Sequence, residues 1–402
     1  MRRGLLAAAL LCGACRGKDD ARPSGVPEAG APAVDPTGRS WKTPPTEDGG
    51  GGLVARRLPR VKDLGGRILS NPRIATITFA ADDPGAVARL EQFGDTITRG
   101  TWWKAVVDAY CPAPERCVGD GRRGAHVHLA DVLAPEIAES DVTAILEREV
   151  TSGRLAIDDD VILMTYLPRG VVLRGAAGTY CAGGPRGVHR SILAGGAQVP
   201  FAIIPRCGDD AEVTGSASHE LLEATTSPEP AQRGFAFERD PDALGFFGSG
   251  VEPVDPCGLL TMDGHWTTAD GFAVQRAWSN RAAARGDAWI VAERGDRPYV
   301  AAVPERAVVR LTKDAPQAKV VVEGAADRPV PRWSLSAFDL TGYQRRAACV
   351  EATVERATIG VGEKVTVSLT LAKDVAFEAC TVGLVSSFGV VAQMWPLAIV
   401  TR

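Results

Sequence analysis

The sequence has no block of basic residues, little histidine, and an opening apolar run that is short. Lysine and arginine number 45 against 49 aspartate and glutamate, for a formal net charge of −4. Without a concentrated basic face or arm, nothing draws the chain to nucleic acid as a partner. The run from Leu5 to Leu11 is too short to cross a bilayer as a helix. There are five histidines and His265 is the last, so everything after it lacks an imidazole for catalysis or metal ligation.

What stands at the start is an export pattern: Arg2 and Arg3, the apolar run, then Gly13 and Ala14 before Cys15. Leu11-Cys12-Gly13-Ala14-Cys15 resembles a bacterial lipoprotein processing site, with Cys15 as the lipid-bearing first residue of a chain anchored to the cell envelope. A plain secretory signal cut nearby is the alternative. Losing Arg2 and Arg3 with residues 1–14 moves the formal charge from −4 to −6. Residues 16–58 are rich in proline, glycine, alanine and charge. Such a segment buries too little surface to order itself and is read as a tether.

Beyond Cys12 and Cys15 lie Cys111, Cys117, Cys181, Cys207, Cys257, Cys349 and Cys380. In an exported chain most should pair. Cys111 and Cys117 bracket a short loop, and Cys349 and Cys380 can tie two strands. Of the remaining three, Cys207 with Cys257 is the chosen pair, leaving Cys181 over.

Periodicity predicts a strand at Ile74 to Phe79 and helices at Pro84 to Ile97, Thr101 to Tyr110, and Asp141 to Val150 with Asp141 as cap. Strands are predicted at Val161 to Leu167, Gly187 to Leu193 and Phe201 to Ile204, and little regular structure between Pro228 and Trp278. After about Gly295 the pattern changes to short alternating runs without a convincing helix. The expected fold is α+β: a mixed-sheet, metallohydrolase-like domain over 59–296, followed by a small accessory β-sandwich over 297–402.

The chemistry is concentrated in Ser218-His219-Glu220-Leu221-Leu222-Glu223-Ala224, one residue away from the His-Glu-x-x-His arrangement of zinc hydrolases. On a helix, positions i and i+4 share a face, so His219 and Glu223 can address one metal, with Glu220 beside them as the base for water. Ser216 or Ser218 is the expected cap, and Ser227-Pro228 the stop. A catalytic zinc needs a third protein ligand. Glu252, Asp255 and His265 are the candidates downstream, and the sequence does not choose between them. His189 is a further candidate on its strand, a packed, hydrogen-bonded histidine being the plainer reading. His126 and His128 point the same way on an extended segment but lack an accompanying carboxylate pattern.

An ordered set of short pieces resembles bacterial secreted proteins distantly similar to the phosphate-induced, EXORDIUM-like family. The pieces are Thr165 to Pro168 with Gly170, Tyr180-Cys181 with His189-Arg190-Ser191, Phe201 to Pro205 before Cys207, Ser218 to Pro228, and Val274 to Asn280. The resemblance implies site roles for His219, Glu220 and Glu223 on the helix and for Glu252, Asp255 and Cys257 on the loop. Arg186 stands where those relatives often carry a second cysteine.

These readings lead to a zinc-dependent peptidase or amidase at the cell surface, with Glu220 activating water and a peptide or cell-envelope polymer as substrate. A glutamate in place of the second imidazole puts more negative charge on the zinc and weakens it as an acid. The alternative is a non-enzymatic envelope binding or scaffold lipoprotein, carbohydrate-associated if Trp266 and Trp278 belong to an exposed aromatic row.

Overall fold

The computed structural model describes residues 61–108, 110–181, 185–237, 252–255, 266–278, 290–291, 298–306, 308–326, 328–389 and 391–401. The export signal, Cys15, the tether, Cys257, His265 and the Trp266 side chain lie outside the described residues.

The body that carries the motif is built from β1 (Arg73–Phe79), α1 (Pro84–Thr96), β2 (Arg122–Leu129), α2 (Glu139–Thr151), β3 (Val161–Tyr166), β4 (Val188–Ala194), β5 (Ala197–Ile204) and α3 (Asp210–Thr226). The strands form one sheet in the order β2-β1-β3-β5-β4. β1 runs parallel to β2 and β3, β3 parallel to β5, and β4 returns antiparallel along β5. The sheet is thus mixed, as expected.

Period-two alternation sends side chains to two helical layers. Ala75, Ile77 and Phe79 of β1, Leu163 of β3 and Phe201 and Ile203 of β5 pack with Val142, Leu146 and Val150 of α2. Ile74, Ile162, Met164, Ala202 and Ile204 pack on the opposite face with Leu90 and Phe93 of α1 and Val213, Ala217 and Leu221 of α3.

Helix starts follow capping chemistry, in two cases at residues the sequence reading did not choose. Asp83 accepts from Ala86 N, with Pro84 opening α1. α2 begins at Glu139, so Asp141 lies inside its first turn, where its carboxylate accepts from the Ala138 backbone N–H. α3 begins well before the motif, capped by Asp209 accepting from Glu212 N. Neither Ser216 nor Ser218 is its cap. Ser218 sits buried mid-helix, donating to Gly215 O and accepting from Gln275 N.

Beyond residue 297 two further sheets follow. One has the order Val300–Pro304, Gln317–Ala326, Lys364–Leu371, Val350–Val354; the other runs Val308–Arg310, Val391–Val400, Ala379–Phe388, Trp333–Asp339, Thr358–Ile359. Their neighbours pair antiparallel, except Val308–Arg310 with Val391–Val400. A short helix, Leu340–Arg345, intervenes where none was predicted. Buried residues of both sheets join one apolar cluster with Trp278, Tyr299 and the α1–α3 layer.

Among the described residues, three disulfides join Cys111 to Cys117, Cys181 to Cys207 and Cys349 to Cys380. They mark an oxidising, exported environment. The expected Cys207–Cys257 pair is corrected. The β4–β5 hairpin sets Val188 opposite Ile203 and His189 opposite Ala202, so the chain entering β4 runs beside the chain leaving β5, and Cys181 meets Cys207. No helix among the described residues is long and apolar enough to cross a membrane.

Candidate metal centre

Four stretches of chain converge beside the β4 edge of the sheet: β4, α3, the 252–255 loop, and the strand Phe272–Gln275. On β4, Val188, Ile192 and Ala194 turn into the α2 layer, which leaves His189, opposite Ala202, directed at α3. On α3 the helical period brings His219 and Glu223 to one face and Glu220 to the flank nearest His189. Gly187 makes the approach possible, because a Cβ there would lie 2.6 Å from Glu220 Oε1 and 2.7 Å from its Cγ.

The loop is pinned from the far side. Trp278 N donates to Pro253 O at 3.0 Å, Gln275 Nε2 donates to Val254 O at 2.9 Å, and Glu252 N donates to Asp255 Oδ2 at 3.0 Å. Gln275 thereby acquires a fixed orientation. With its NH2 committed to Val254, its Oε1 faces His219 Nδ1 at 3.0 Å and can only accept. His219 therefore carries its hydrogen on Nδ1 and presents Nε2 to the carboxylates when neutral.

Glu223 lies at the centre. Its Oε2 is 3.3 Å from His189 Nδ1 and 3.2 Å from His219 Nε2. His189 Nδ1 also meets Glu220 Oε2 at 3.3 Å, and its Nε2 is 3.6 Å from Glu252 Oε1. His219 Nε2 is 3.8 Å from Asp255 Oδ1. The side chains of His189 and Glu223 are each 5% exposed, against 21% for His219 and 39% for Asp255, so the site has a buried side and an open one.

The imidazoles and carboxylates shift one another's ionisation. Burial by itself lowers the pKa of both imidazoles, yet the carboxylates, Glu252 first at His189 and Glu223 first at His219, hold both well above the ordinary histidine value. Burial pushes Glu223 up, but the two imidazoles outweigh it and hold its carboxyl well below the usual range. Desolvation and the Glu223 charge raise Asp255 to about 8, and burial followed by Glu223 raises Glu252.

Among the described residues, Glu223 Oε1 is buried with no hydrogen-bond partner, and His189 Nε2 and Glu252 Oε1, also buried, face only each other at 3.6 Å, beyond hydrogen-bond distance. Such atoms are costly unless something satisfies them. Among the described residues, two donor groups could hold a metal ion, His189–Glu223–Glu252 and His219–Glu223–Asp255, with the donor atoms of each within 4.8 Å of one another. Imidazole nitrogen and carboxylate oxygen are ordinary metal ligands.

The expected residues His219, Glu220, Glu223, Glu252 and Asp255 are thus brought together, and Glu252 and Asp255 fall into different donor groups rather than competing for one place. His189 joins them as a full participant, a role the sequence reading ranked below simple packing. His126 and His128 are on β2, at the opposite sheet edge, each paired with a carboxylate of α1: Asp95 at 3.3 Å and Glu91 at 3.0 Å. Trp278 is fully buried and contributes to no surface row of aromatics. Compared with known proteins, the chain matches no family model and no curated protein.

Proposed function

We propose that the protein is a metal-dependent hydrolase, a zinc peptidase or amidase acting at the cell envelope, to which Cys15 anchors it through lipid. The observation that carries this reading is the convergence of two imidazoles from separate elements on one buried carboxylate, Glu223, that has an oxygen left without a partner. The ordered motif set supports kinship with the EXORDIUM-like bacterial secreted proteins. The α+β body then takes the part of the metallohydrolase-like domain, with the strands after residue 297 as a sandwich-type accessory.

In this reading His219, Glu223 and Asp255 hold zinc on the side open to solvent. Zinc there supplies polarisation of a carbonyl and acidification of water. Glu220 is a buried carboxylate that belongs to neither donor group, so it is left to accept the proton of the attacking water and pass it to the leaving amine. Gln275 keeps His219 Nε2 turned towards the metal. With carboxylates outnumbering imidazoles, the metal is a mild acid and turnover modest.

A second reading, a binding or scaffold protein with a structural metal, draws on the burial of His189, Glu223 and Glu252. One experiment separates the two. Purified mature protein is assayed on a peptide library alongside Glu220→Gln, with zinc measured in both. Cleavage by the wild type that the variant loses at unchanged zinc supports the hydrolase. Zinc present without cleavage of any peptide favours the scaffold.

A further inference from the structure

We infer that the centre is built for two divalent cations bridged by the Glu223 carboxylate. The inner ion takes His189, Glu223 and Glu252, and the outer takes His219, Glu223 and Asp255. This rests on the metal-site reading above and adds a second site to it.

Geometry is the first argument. Donor atoms bound to one zinc at about 2.0–2.2 Å lie at most ~4.4 Å apart. The donor atoms of each group lie within 4.8 Å of one another, so a small inward shift closes them on one ion, and the two groups have Glu223 alone in common. His189 and His219 reach Glu223 from β4 and from its own helix, at 3.3 and 3.2 Å. A carboxylate has two oxygens, and here Oε2 meets both rings while Oε1 is buried without a partner among the described residues. Bridging two ions would employ both oxygens. Paired ions in two-metal sites sit about 3.5–4 Å apart, a separation one carboxylate spans.

Charge is the second argument. Glu220, Glu223, Glu252 and Asp255 bring four carboxylates to two imidazoles, with Arg233 acting on Glu252 from outside. One divalent ion with neutral imidazoles still leaves the centre negative even with Arg233 counted, in largely buried surroundings. A second ion brings the metal charge level with the four carboxylates, Arg233 aside. Burial then divides the labour. The inner group, 5–10% exposed at its side chains, has little room for a substrate, whereas the outer group opens to solvent at His219 and Asp255. The inner ion fixes Glu223 and compensates charge, and the outer ion faces the substrate.

The test is stoichiometric. Mature protein is stripped with a chelator, reloaded with zinc alone, and measured by elemental analysis and calorimetric titration, with folding checked by circular dichroism. The wild type is expected to take two zinc per chain. His189→Gln and Asp255→Asn should each keep one, and Asp255, being partly exposed, is the variant least able to disturb folding. Saturation of the wild type at one zinc, with Asp255→Asn falling to none, overturns the two-ion centre and leaves a one-metal hydrolase standing. No zinc in the wild type overturns both.

Discussion

At Glu223 two imidazoles share one carboxylate, and the residues around it decide whether that arrangement can grip a metal. Gln275 does so at one remove: held by Val254 O, it accepts from His219 Nδ1 and fixes the tautomer. Gln275→Leu should weaken zinc binding about 10–100-fold, the usual cost of losing such a partner, measurable by competition with a chelating dye, and should also lower stability by about 1–3 kcal/mol because the buried Val254 O loses its donor. Gly187→Ala tests the approach of α3 to β4. Its added methyl overlaps Glu220, and the repacking should cost about 1–3 kcal/mol in denaturant unfolding; an unchanged midpoint would contradict the contact. The helical part of this site was legible in the sequence, because His219, Glu220 and Glu223 are fixed relative to one another by the helical period alone. His189 was harder to assign. Its direction depends on strand register, and the available signal was the alternation of Val188 and Ile192 with His189 and Ser191 along β4. Gln275 left no local signal at all, since its role exists only once a loop and a helix close around it.

Among the elements, the β4–β5 hairpin does most to assemble the centre. It turns His189 towards α3, and by the same register it brings Cys181 to Cys207. Non-reducing peptide mapping should recover that linked pair; recovery of Cys207 joined to Cys257 would contradict it. Replacing both cysteines by serine should cost about 3 kcal/mol, as expected for closing a loop of this size, and should weaken zinc binding by loosening β4. The sequence reading found the strand, helix and motif but paired Cys207 wrongly. Nearness in sequence to the motif helix does not decide the pairing; antiparallel register does, because it brings the ends of a hairpin together. The helix caps were misread for a related reason. Serine is a good cap in general, yet Ser218 is used in the helix interior to receive Gln275 N, while Asp209 begins the helix a full two turns earlier.

Over the whole molecule, a mixed sheet with helices packed against it, the strand-rich region after residue 297 and the disulfide-bearing, exported character were all legible from periodicity and cysteine usage; that the helices cover both faces was not. The common core was not. Short alternating runs reveal a sheet but not what covers its inner face, and here Trp278 and Tyr299 join the later strands to the layer that carries α1 and α3. That continuity matters for function, because the loop bearing Glu252 and Asp255 is tied to Trp278 through Pro253. The central claim is that this assembly exists to hold a metal at Glu223. Diffraction from zinc-soaked crystals, recorded above and below the zinc absorption edge, tests it most directly. The account expects anomalous density within about 2.0–2.2 Å of a Glu223 oxygen and a histidine nitrogen; a well-ordered site with no anomalous density, His189 and His219 remaining ion-paired to Glu223, would contradict it.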